Sequence, residues 1–453
     1  MRKYNENNLI LKNTLEEVFF MEKLLNALEQ KLGPIADKLS NNPYLKAITR
    51  GTMCALPLTL VAGLIILIAK PPIPVANGEP TMLAGWYYWG QKQTWIYTIN
   101  SVYNGVVGLA FLIGAAEALA KELNMNARSN MILSLGAYFL IVANPQTYEL
   151  ADGKKINAIT FSKLGTNGIF ASIIIVILVA LIVQFFQKYK IGFRFPDSVP
   201  SFVKTSFDGI LPAVAIAVIM IALDTLCQKA LGSSLSGVIA AVFSPLVKSF
   251  DNPFMVAFFM MLINFFWYMG IHGSIVSPIT GPIVLSYATE NMQAYAEGQQ
   301  IMHWFTNSTK FGLILVGGAG VLALAVLNSR SKSKTLREVG KVGLIPSIFN
   351  ISEPTIFGMP VMFNVDLFVP FMLVPIVNTF IVWFVTDVLH LMTGPIVNAP
   401  YQAPFILLAV LAYGTWIAGV LAVVLLVIDL VIYYPFYRRY EKKMIAQENE
   451  ANE

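Results

Sequence analysis

Long apolar stretches recur along this chain and predict helices that cross a membrane. About 20 apolar residues suffice to span a hydrocarbon core of roughly 30 Å. The predicted spans lie at residues 53–69, 101–120, 129–144, 168–186, 206–226, 252–271, 306–327, 366–388 and 405–435. With the interrupted segments described next, the pattern predicts an all-α polytopic membrane protein with about ten transmembrane helices.

Two apolar segments are interrupted by glycine and proline, one at about 270–282 and one at about 343–360. They lie on either side of the span at 306–327, which carries no such interruption by proline and is predicted as one normal span. Non-helical backbone is tolerated at membrane depth only where protein or water surrounds it, and in transporters such segments usually line the substrate site. Two re-entrant hairpins around a substrate site are therefore expected.

The chain before the first span has a different pattern. From Met21 to Leu39 apolar residues recur at helical spacing, with charged residues on the opposite face and a break at Gly33 and Pro34. This pattern predicts an amphipathic helix on the cytoplasmic membrane surface, within a segment at residues 1–50. A soluble cap helix is the alternative interpretation.

The amino-acid composition excludes several classes of protein. Hydrophobic residues make up 56% of the chain and charged residues 13%, against roughly 25% charged residues in soluble proteins. This excludes a soluble enzyme, a nucleic-acid binder and a disulfide scaffold. Lys and Arg concentrate in the loops 187–204 and 330–341 and after residue 437, which places these loops and both termini in the cytoplasm. Two cysteines and three histidines match no metal or redox spacing, so neither metal nor cofactor is expected.

Ionisable residues inside apolar segments are costly, and so they are the first candidates for function. Glu353 lies in the second interrupted segment and His272 follows the span at 252–271. With Asn350 and Trp267 they form a set suited to a sugar, since carboxylates and amides bond hydroxyl groups and an indole stacks on a sugar face. The alternatives are a turn cap for Glu353 and a structural hydrogen bond for His272.

Three further residues are weighed on position alone. Tyr401 lies between two prolines before the last span. It either contacts the sugar or has a purely structural role. Asn144 ends a span, where a helix cap or a turn is the alternative to ligand contact. His303 lies beside Trp304 in a predicted external loop and is interpreted as an ordinary interface residue. The chain has no Walker motif, so ATP-driven transport is unsupported.

At this point a family resemblance appears. Residues 340–360, GKVGLIPSIFNISEPTIFGMP, resemble the signature of the membrane component, enzyme IIC, of the lactose/cellobiose/diacetylchitobiose family of sugar phosphotransferase systems. The box from Trp267 to Gly273, the segment 56–61 and the closing residues 433–436 match as well. The resemblance covers about residues 21–443.

The resemblance implies two membrane domains, at 51–230 and 231–440, followed by a cytoplasmic tail at 441–453. The first forms a homodimer interface and the second holds the sugar and moves in a rigid, elevator-like way in a bacterial plasma membrane. The sugar's 6-hydroxyl then receives a phosphoryl group from the phosphocysteine of a IIB protein. This chain shows no such cysteine in a phosphate loop, which implies IIB and IIA on other chains, with the loop 330–341 as a docking surface for IIB.

The resemblance also implies roles for single residues. Glu353 corresponds to the carboxylate that contacts the hydroxyl to be phosphorylated, His272 to the neighbouring histidine and Trp267 to an aromatic residue of the pocket. Glu353 and His272 are the expected catalytic residues, and which one is the general base stays open. The residues expected to bind substrate are Trp267, His272, Gly273, Asn350, Ser352, Glu353, Tyr401 and Asn144.

Two positions depart from the family pattern. Ser352 stands where the family has the second Asn of Asn-Ile-Asn-Glu-Pro, and Tyr401 stands for the Trp usual before the last span. The family's cargo, a β-linked disaccharide, is thus the expected substrate, but its identity stays open. Two other functions remain possible on the residues alone: an ion-coupled secondary sugar transporter with Glu353 as the coupling acid, and a receptor without transport.

Overall fold

The computed structural model describes residues 34–35, 37–72, 75–76, 79–193, 207–359 and 361–450. The helices are α1 Pro43–Ala69, α2 Ala84–Gln91, α3 Thr94–Gly105, α4 Val107–Glu122, α5 Ala127–Ile141, α6 Ile169–Lys188, α7 Ile210–Leu231, α8 Leu235–Ser249, α9 Pro253–Tyr268, α10 Ser277–Glu297, α11 Leu322–Ser329, α12 Lys334–Ile348, α13 Glu353–Gly358, α14 Val365–Trp383, α15 Phe405–Tyr413 and α16 Trp416–Glu450. Most of the amphipathic helix predicted before the first span lies outside the described residues.

The protein is predominantly helical, as predicted. Within the described residues, six helices are long and apolar enough to cross a membrane, or up to seven if α8 and α9, bent by 82°, count as one span. Two short antiparallel pairs depart from the all-α prediction: β1 Val75–Ala76 with β2 Glu79–Pro80, and β3 Gln146–Glu149 with β4 Lys155–Ala158. These strands, of two and four residues, are too short to register in a pattern of apolar spans.

Helix α1 is longer than the predicted first span and begins at Pro43. The side chain of Asn42 caps it by accepting hydrogen bonds from the backbone N–H groups of residues 44 and 45 at 3.0 and 3.2 Å. Its buried face is lined by small residues, and a Cβ on Gly114 of α4 would lie 2.3 Å from the Cβ of Cys54. Small residues therefore allow the α1 and α4 backbones to pack closely.

Buried apolar side chains form two large clusters. The first joins α1 to α4, α5, α6 and α7. The second runs from Phe250 to Tyr440 and joins α9 to α10, α11, α14, α15 and α16. Helix α8 touches both, because Leu235 and Ile239 belong to the first cluster while Val247 packs against the second. The N-terminal and C-terminal parts of the chain thus have separate hydrophobic cores.

The segment predicted as one uninterrupted span at 306–327 is not a single helix. A short turn at Asn307–Thr309 continues as a π-helix at Lys310–Ile314, and α11 begins only at Leu322. Between them Gly317, Gly318 and Gly320 have φ angles of +86°, +91° and +71°. This left-handed backbone ends the helix, so the prediction of a normal span was wrong here.

Three asparagine side chains satisfy the backbone that this break exposes. Asn264 of α9 donates an amide hydrogen to the carbonyl of residue 319 within the break, and Asn378 of α14 donates to that of Ile314 at its start, both at 3.1 Å. Asn350 accepts a hydrogen bond from the N–H of Gly317 at 3.1 Å. Unpaired backbone groups are very costly away from water, so these amides allow irregular backbone in the interior.

Residues 416–450 form the last described helix, α16, which is tied by hydrogen bonds to the start of α12. Gly414, with φ of +64°, separates α15 from α16, and α16 continues to Glu450. The carboxylate of Glu448 accepts hydrogen bonds from the Ser333 hydroxyl at 2.7 Å and from the N–H groups of residues 334 and 335. Glu441 likewise accepts from the Ser331 hydroxyl at 2.7 Å. Carboxylates of α16 therefore hold the start of α12.

His303 has a more specific setting than the interface role expected of it. Its ring stacks on Tyr287 with 3.6 Å between centroids and an interplanar angle of 5°. Nδ1 lies 3.0 Å from Asp251 and Nε2 lies 2.9 Å from Glu290. Burial alone would lower the pKa of the imidazole, but the hydrogen bonds to Asp251 and Glu290 outweigh it and raise the pKa to about 9. The ring is therefore a cation at neutral pH, bridging two carboxylates.

This raised pKa gives a pH-dependent stability. Because the folded pKa exceeds the unfolded value of about 6.5, the stabilisation is complete below pH 6.5 and is lost as pH rises through about 9. We expect native protein in detergent to lose about 3 kcal/mol of stability from this group between pH 6.5 and 10. Thermal unfolding over this range should show a steeper decline for the native chain than for His303→Gln, and equal slopes would contradict the bridging role.

Candidate functional site

A cavity of about 290 Å³ lies between the two hydrophobic clusters. Ligand pockets in proteins begin at roughly this size. Of the residues predicted to bind substrate, the cavity is lined by Trp267, His272, Gly273, Asn350, Ser352, Glu353 and Tyr401. The structure therefore brings together side chains from α9, the turns before α10 and α13, and the segment before α15.

His272 is held by the backbone that follows it. It caps a short 3₁₀ turn at Gly273–Val276, and its Nδ1 accepts a hydrogen bond from the N–H of Ser274 at 3.1 Å. The Ser274 hydroxyl lies 2.7 Å from the same nitrogen. A backbone N–H can only donate, so Nδ1 is the acceptor nitrogen and the neutral ring carries its proton on Nε2.

The Nε2–H of His272 points towards Glu353. The distance from Nε2 to Oε1 is 3.7 Å, longer than a hydrogen bond, and both side chains are about half exposed, at 60% and 45%. Glu353 is the first residue of α13, directly after the turn at Asn350. The two groups therefore face the cavity together, with the histidine as a donor and the carboxylate as an acceptor.

Trp267 and Gly273 fix the position of the histidine. The Trp267 ring is buried and lies 4.4 Å from the His272 ring, between centroids. A Cβ on Gly273 would lie 2.7 Å from the Ile263 side chain and 2.8 Å from the indole nitrogen of Trp267. Only glycine lets the turn pack this closely on α9, so its role in this structure is to position the imidazole.

Asn350 connects the parts of the site. Its backbone is left-handed, with φ of +61°. Its Nδ2 donates to the carbonyl of Tyr401 at 2.9 Å, and its Oδ1 accepts from Gly317. The amide hydrogens are directed at protein carbonyls, which gives Asn350 a structural role in addition to its place in the cavity wall.

Tyr401 forms an aromatic wall with Phe311. The two ring centroids are 5.2 Å apart at an interplanar angle of 30°. Ser352 is buried beside them and precedes α13. Aromatic faces, hydroxyl groups and one carboxylate around a single cavity suit a ligand with both hydroxyl groups and apolar C–H faces.

Asn144 does not line this cavity. It lies just after α5, where its Oδ1 accepts a hydrogen bond from the side chain of Gln146 at 3.0 Å. The structure therefore places Asn144 in a turn, which was the alternative to ligand contact.

The sequence interpretation overlooked several residues of the cavity wall. Helix α1 contributes Thr49 and Thr52, and Asn398 packs on the same helix by donating to the Thr59 hydroxyl at 3.0 Å. Lys310 and Phe311 come from the π-helical turn. Lys310 was detectable by the rule that selected Glu353, because it is an ionisable residue within an apolar stretch. Small hydroxyl residues on a long apolar helix give no comparable signal.

The chain is similar to known proteins over most of its length. Residues 49–375 match the family of the phosphotransferase system, EIIC. The PTS system lactose-specific EIICB component of Staphylococcus haemolyticus (strain JCSC1435) is 29% identical over 96% of this chain and 73% of that protein. The corresponding component of Staphylococcus aureus (strain COL) is 28% identical over 96% of this chain and 75% of that protein.

A solved structure has the same fold. It is the transporter ChbC, the IIC component from the N,N'-diacetylchitobiose-specific phosphotransferase system, which superposes with a TM-score of 0.84 at 25% sequence identity. The match covers 93% of this chain and 99% of that one. Together with the match over residues 49–375, this shows that the chain belongs to the EIIC family of the phosphotransferase system, the membrane-embedded sugar-transport components.

Proposed function

We propose that this protein binds a β-linked disaccharide and carries it inward for phosphorylation at its 6-hydroxyl. The observation that carries this proposal is the pair of Glu353 and His272, 3.7 Å apart at the wall of a cavity that also presents aromatic faces and hydroxyl groups. The relatives named above are specific for lactose and for diacetylchitobiose, which are disaccharides of this class.

Glu353 is the base in this proposal. Its carboxylate accepts a hydrogen bond from the sugar hydroxyl and takes up the proton as the O–P bond forms. The phosphoryl group comes from a phosphocysteine of the IIB partner, whose S–P bond breaks in the same step. His272 carries its proton on Nε2, so it donates a hydrogen bond and positions the carboxylate and the sugar rather than accepting the proton.

The two hydrophobic clusters support a division into a dimerisation domain at 51–230 and a transport domain at 231–440. Cavity residues come from α1 in the first cluster and from α9 and α13 beside the second, as expected of a site that changes its exposure when one domain slides past the other. About ten crossings with two re-entrant hairpins, both termini in the cytoplasm of a bacterial cell, complete this topology.

The partners follow from the chemistry. Phosphorylation needs IIB and IIA activities in addition to this membrane component. The basic loop 330–341 is held to α16 by Glu441 and Glu448, so it is a defined surface for docking IIB. A phosphorylated sugar carries close to two negative charges and cannot cross back, which makes uptake unidirectional.

Uptake and phosphorylation in vesicles test the proposal. Vesicles containing this protein, supplied with the phosphorelay proteins, should accumulate phosphorylated product from radiolabelled cellobiose, lactose or diacetylchitobiose, and only when the relay is complete. Ionophores should leave this accumulation unchanged. Free, unphosphorylated sugar accumulating on an ion gradient would overturn the proposal and favour a secondary transporter.

A further inference from the structure

Lys310 is a cation in the wall of the cavity. It is the first residue of the π-helical turn, partly buried, with its Nζ 4.7 Å from the centroid of the Phe311 ring. Within the described part of the chain, its ammonium group makes no hydrogen bond or ion pair with another residue. The side chain is therefore held at the cavity without a protein counter-ion.

The neighbouring carboxylates of the second cluster are engaged elsewhere. Glu353 lies nearest His272, Asp251 and Glu290 contact His303, Asp366 contacts Arg439 and Lys443, and Asp429 accepts a hydrogen bond from Asn378. Among the described residues that line the cavity, Glu353 is the only carboxylate, and in the proposed function it binds the hydroxyl to be phosphorylated. An unpaired charge away from water is costly, and a partner is therefore expected to arrive with the ligand.

The ammonium group of Lys310 restricts the chemical class of the ligand. A sugar hydroxyl both donates and accepts, and amides, hydroxyls and carboxylates suit it. An ammonium group only donates and carries a full charge. A neutral sugar would leave that charge uncompensated, while an anionic group would pair with it through a charge-assisted hydrogen bond.

We propose that the cavity selects a disaccharide that carries a carboxylate, with its free 6-hydroxyl at Glu353 and its anionic group at Lys310. This inference rests on the proposed function and specifies the substrate class of the same site. The acid must lie on the sugar unit that is not phosphorylated, because a uronic acid has no 6-hydroxyl. A glucosyl unit linked to an aldonic acid meets both conditions.

Two probes that differ at a single terminal carbon, one anionic and one neutral, test this selection. Cellobionate ends in a carboxylate and cellobiitol in a hydroxymethyl group, and both keep the glucosyl 6-hydroxyl. In the relay-dependent vesicle assay, we expect kcat/KM for cellobionate to exceed that for cellobiitol at least tenfold in the native chain. Lys310→Gln should lower this ratio at least tenfold, whereas Lys310→Arg should keep it.

The control is Lys154→Gln, which removes a lysine of the exposed β3–β4 hairpin and should leave the ratio unchanged. A native chain that phosphorylates cellobiose or cellobiitol but not cellobionate would overturn the inference and leave the proposed function standing. A ratio unaltered in Lys310→Gln would overturn it as well. Failure to phosphorylate cellobiose, cellobiitol or cellobionate with a complete relay would remove the proposed function, and with it this inference.

Discussion

Replacing Glu353 with glutamine should lower relay-dependent sugar phosphorylation by about 10²- to 10⁴-fold, the usual contribution of a positioned general base. The amide keeps the size of the side chain and its hydrogen-bonding capacity, but it cannot take up the proton of the hydroxyl. Sugar binding, measured on purified protein by titration with the disaccharide that the vesicle assay identifies, should weaken far less than the rate of phosphorylation.

A matched control is Glu149→Gln, which makes the same change at an exposed residue of β3. It should phosphorylate sugar at the native rate. Phosphorylation by Glu353→Gln within a few-fold of native would contradict the assignment of Glu353 as the base. Loss of phosphorylation together with loss of binding would instead indicate a binding role alone.

Gly318→Ala should abolish uptake and destabilise the protein by about 3 kcal/mol. Two effects add at this position. The backbone has φ of +91°, which disfavours any residue with a side chain, and a Cβ would lie 2.5 Å from the carbonyl oxygen of Asn350. Because that neighbour is backbone and directly precedes the turn to Glu353, relief of the clash must displace the turn that carries Glu353.

Gly232→Ala separates the two effects. Gly232 also has a left-handed backbone, with φ of +67°, but a Cβ there would meet no atom within 4 Å. The Gly232→Ala substitution should lower the free energy of unfolding by only about 1–2 kcal/mol and leave uptake intact. Thermal unfolding in detergent and vesicle uptake of both variants test this, and equal losses would show that the contact with Asn350 has no special importance.

The sequence pattern was most informative where a helix has a strong and continuous signal. The spans at 168–186 and 366–388 differ from the helices at Ile169–Lys188 and Val365–Trp383 by only a few residues. Glu353 and His272 were selected from the sequence because an ionisable group in an apolar segment is rare. The structure brings both to one cavity, although they are separated by 80 residues in sequence.

The break at residues 315–321 was missed for a physical reason. Leucine, isoleucine, valine and alanine surround its glycines, so its average hydropathy is that of a normal span. What ends the helix is the pairing of its backbone with Asn264, Asn350 and Asn378, which lie far away in sequence. Tertiary hydrogen bonds of this kind override local helix propensity. The sequence pattern also did not predict that α1 lines the cavity, because Thr49 and Thr52 resemble ordinary residues of a membrane helix.

One wall of the cavity comes from α1 through Thr49 and Thr52, and another comes from Glu353 and Tyr401. In the proposed movement of one domain past the other, the distance between these walls would change. A molecule broad enough to contact both walls would hold them at one separation. It would bind tightly to one arrangement of the chain and halt turnover without touching the phosphoryl-transfer chemistry. Inhibitors of such a protein can therefore be sought among bulky, unreactive sugar analogues rather than among mimics of the phosphate donor.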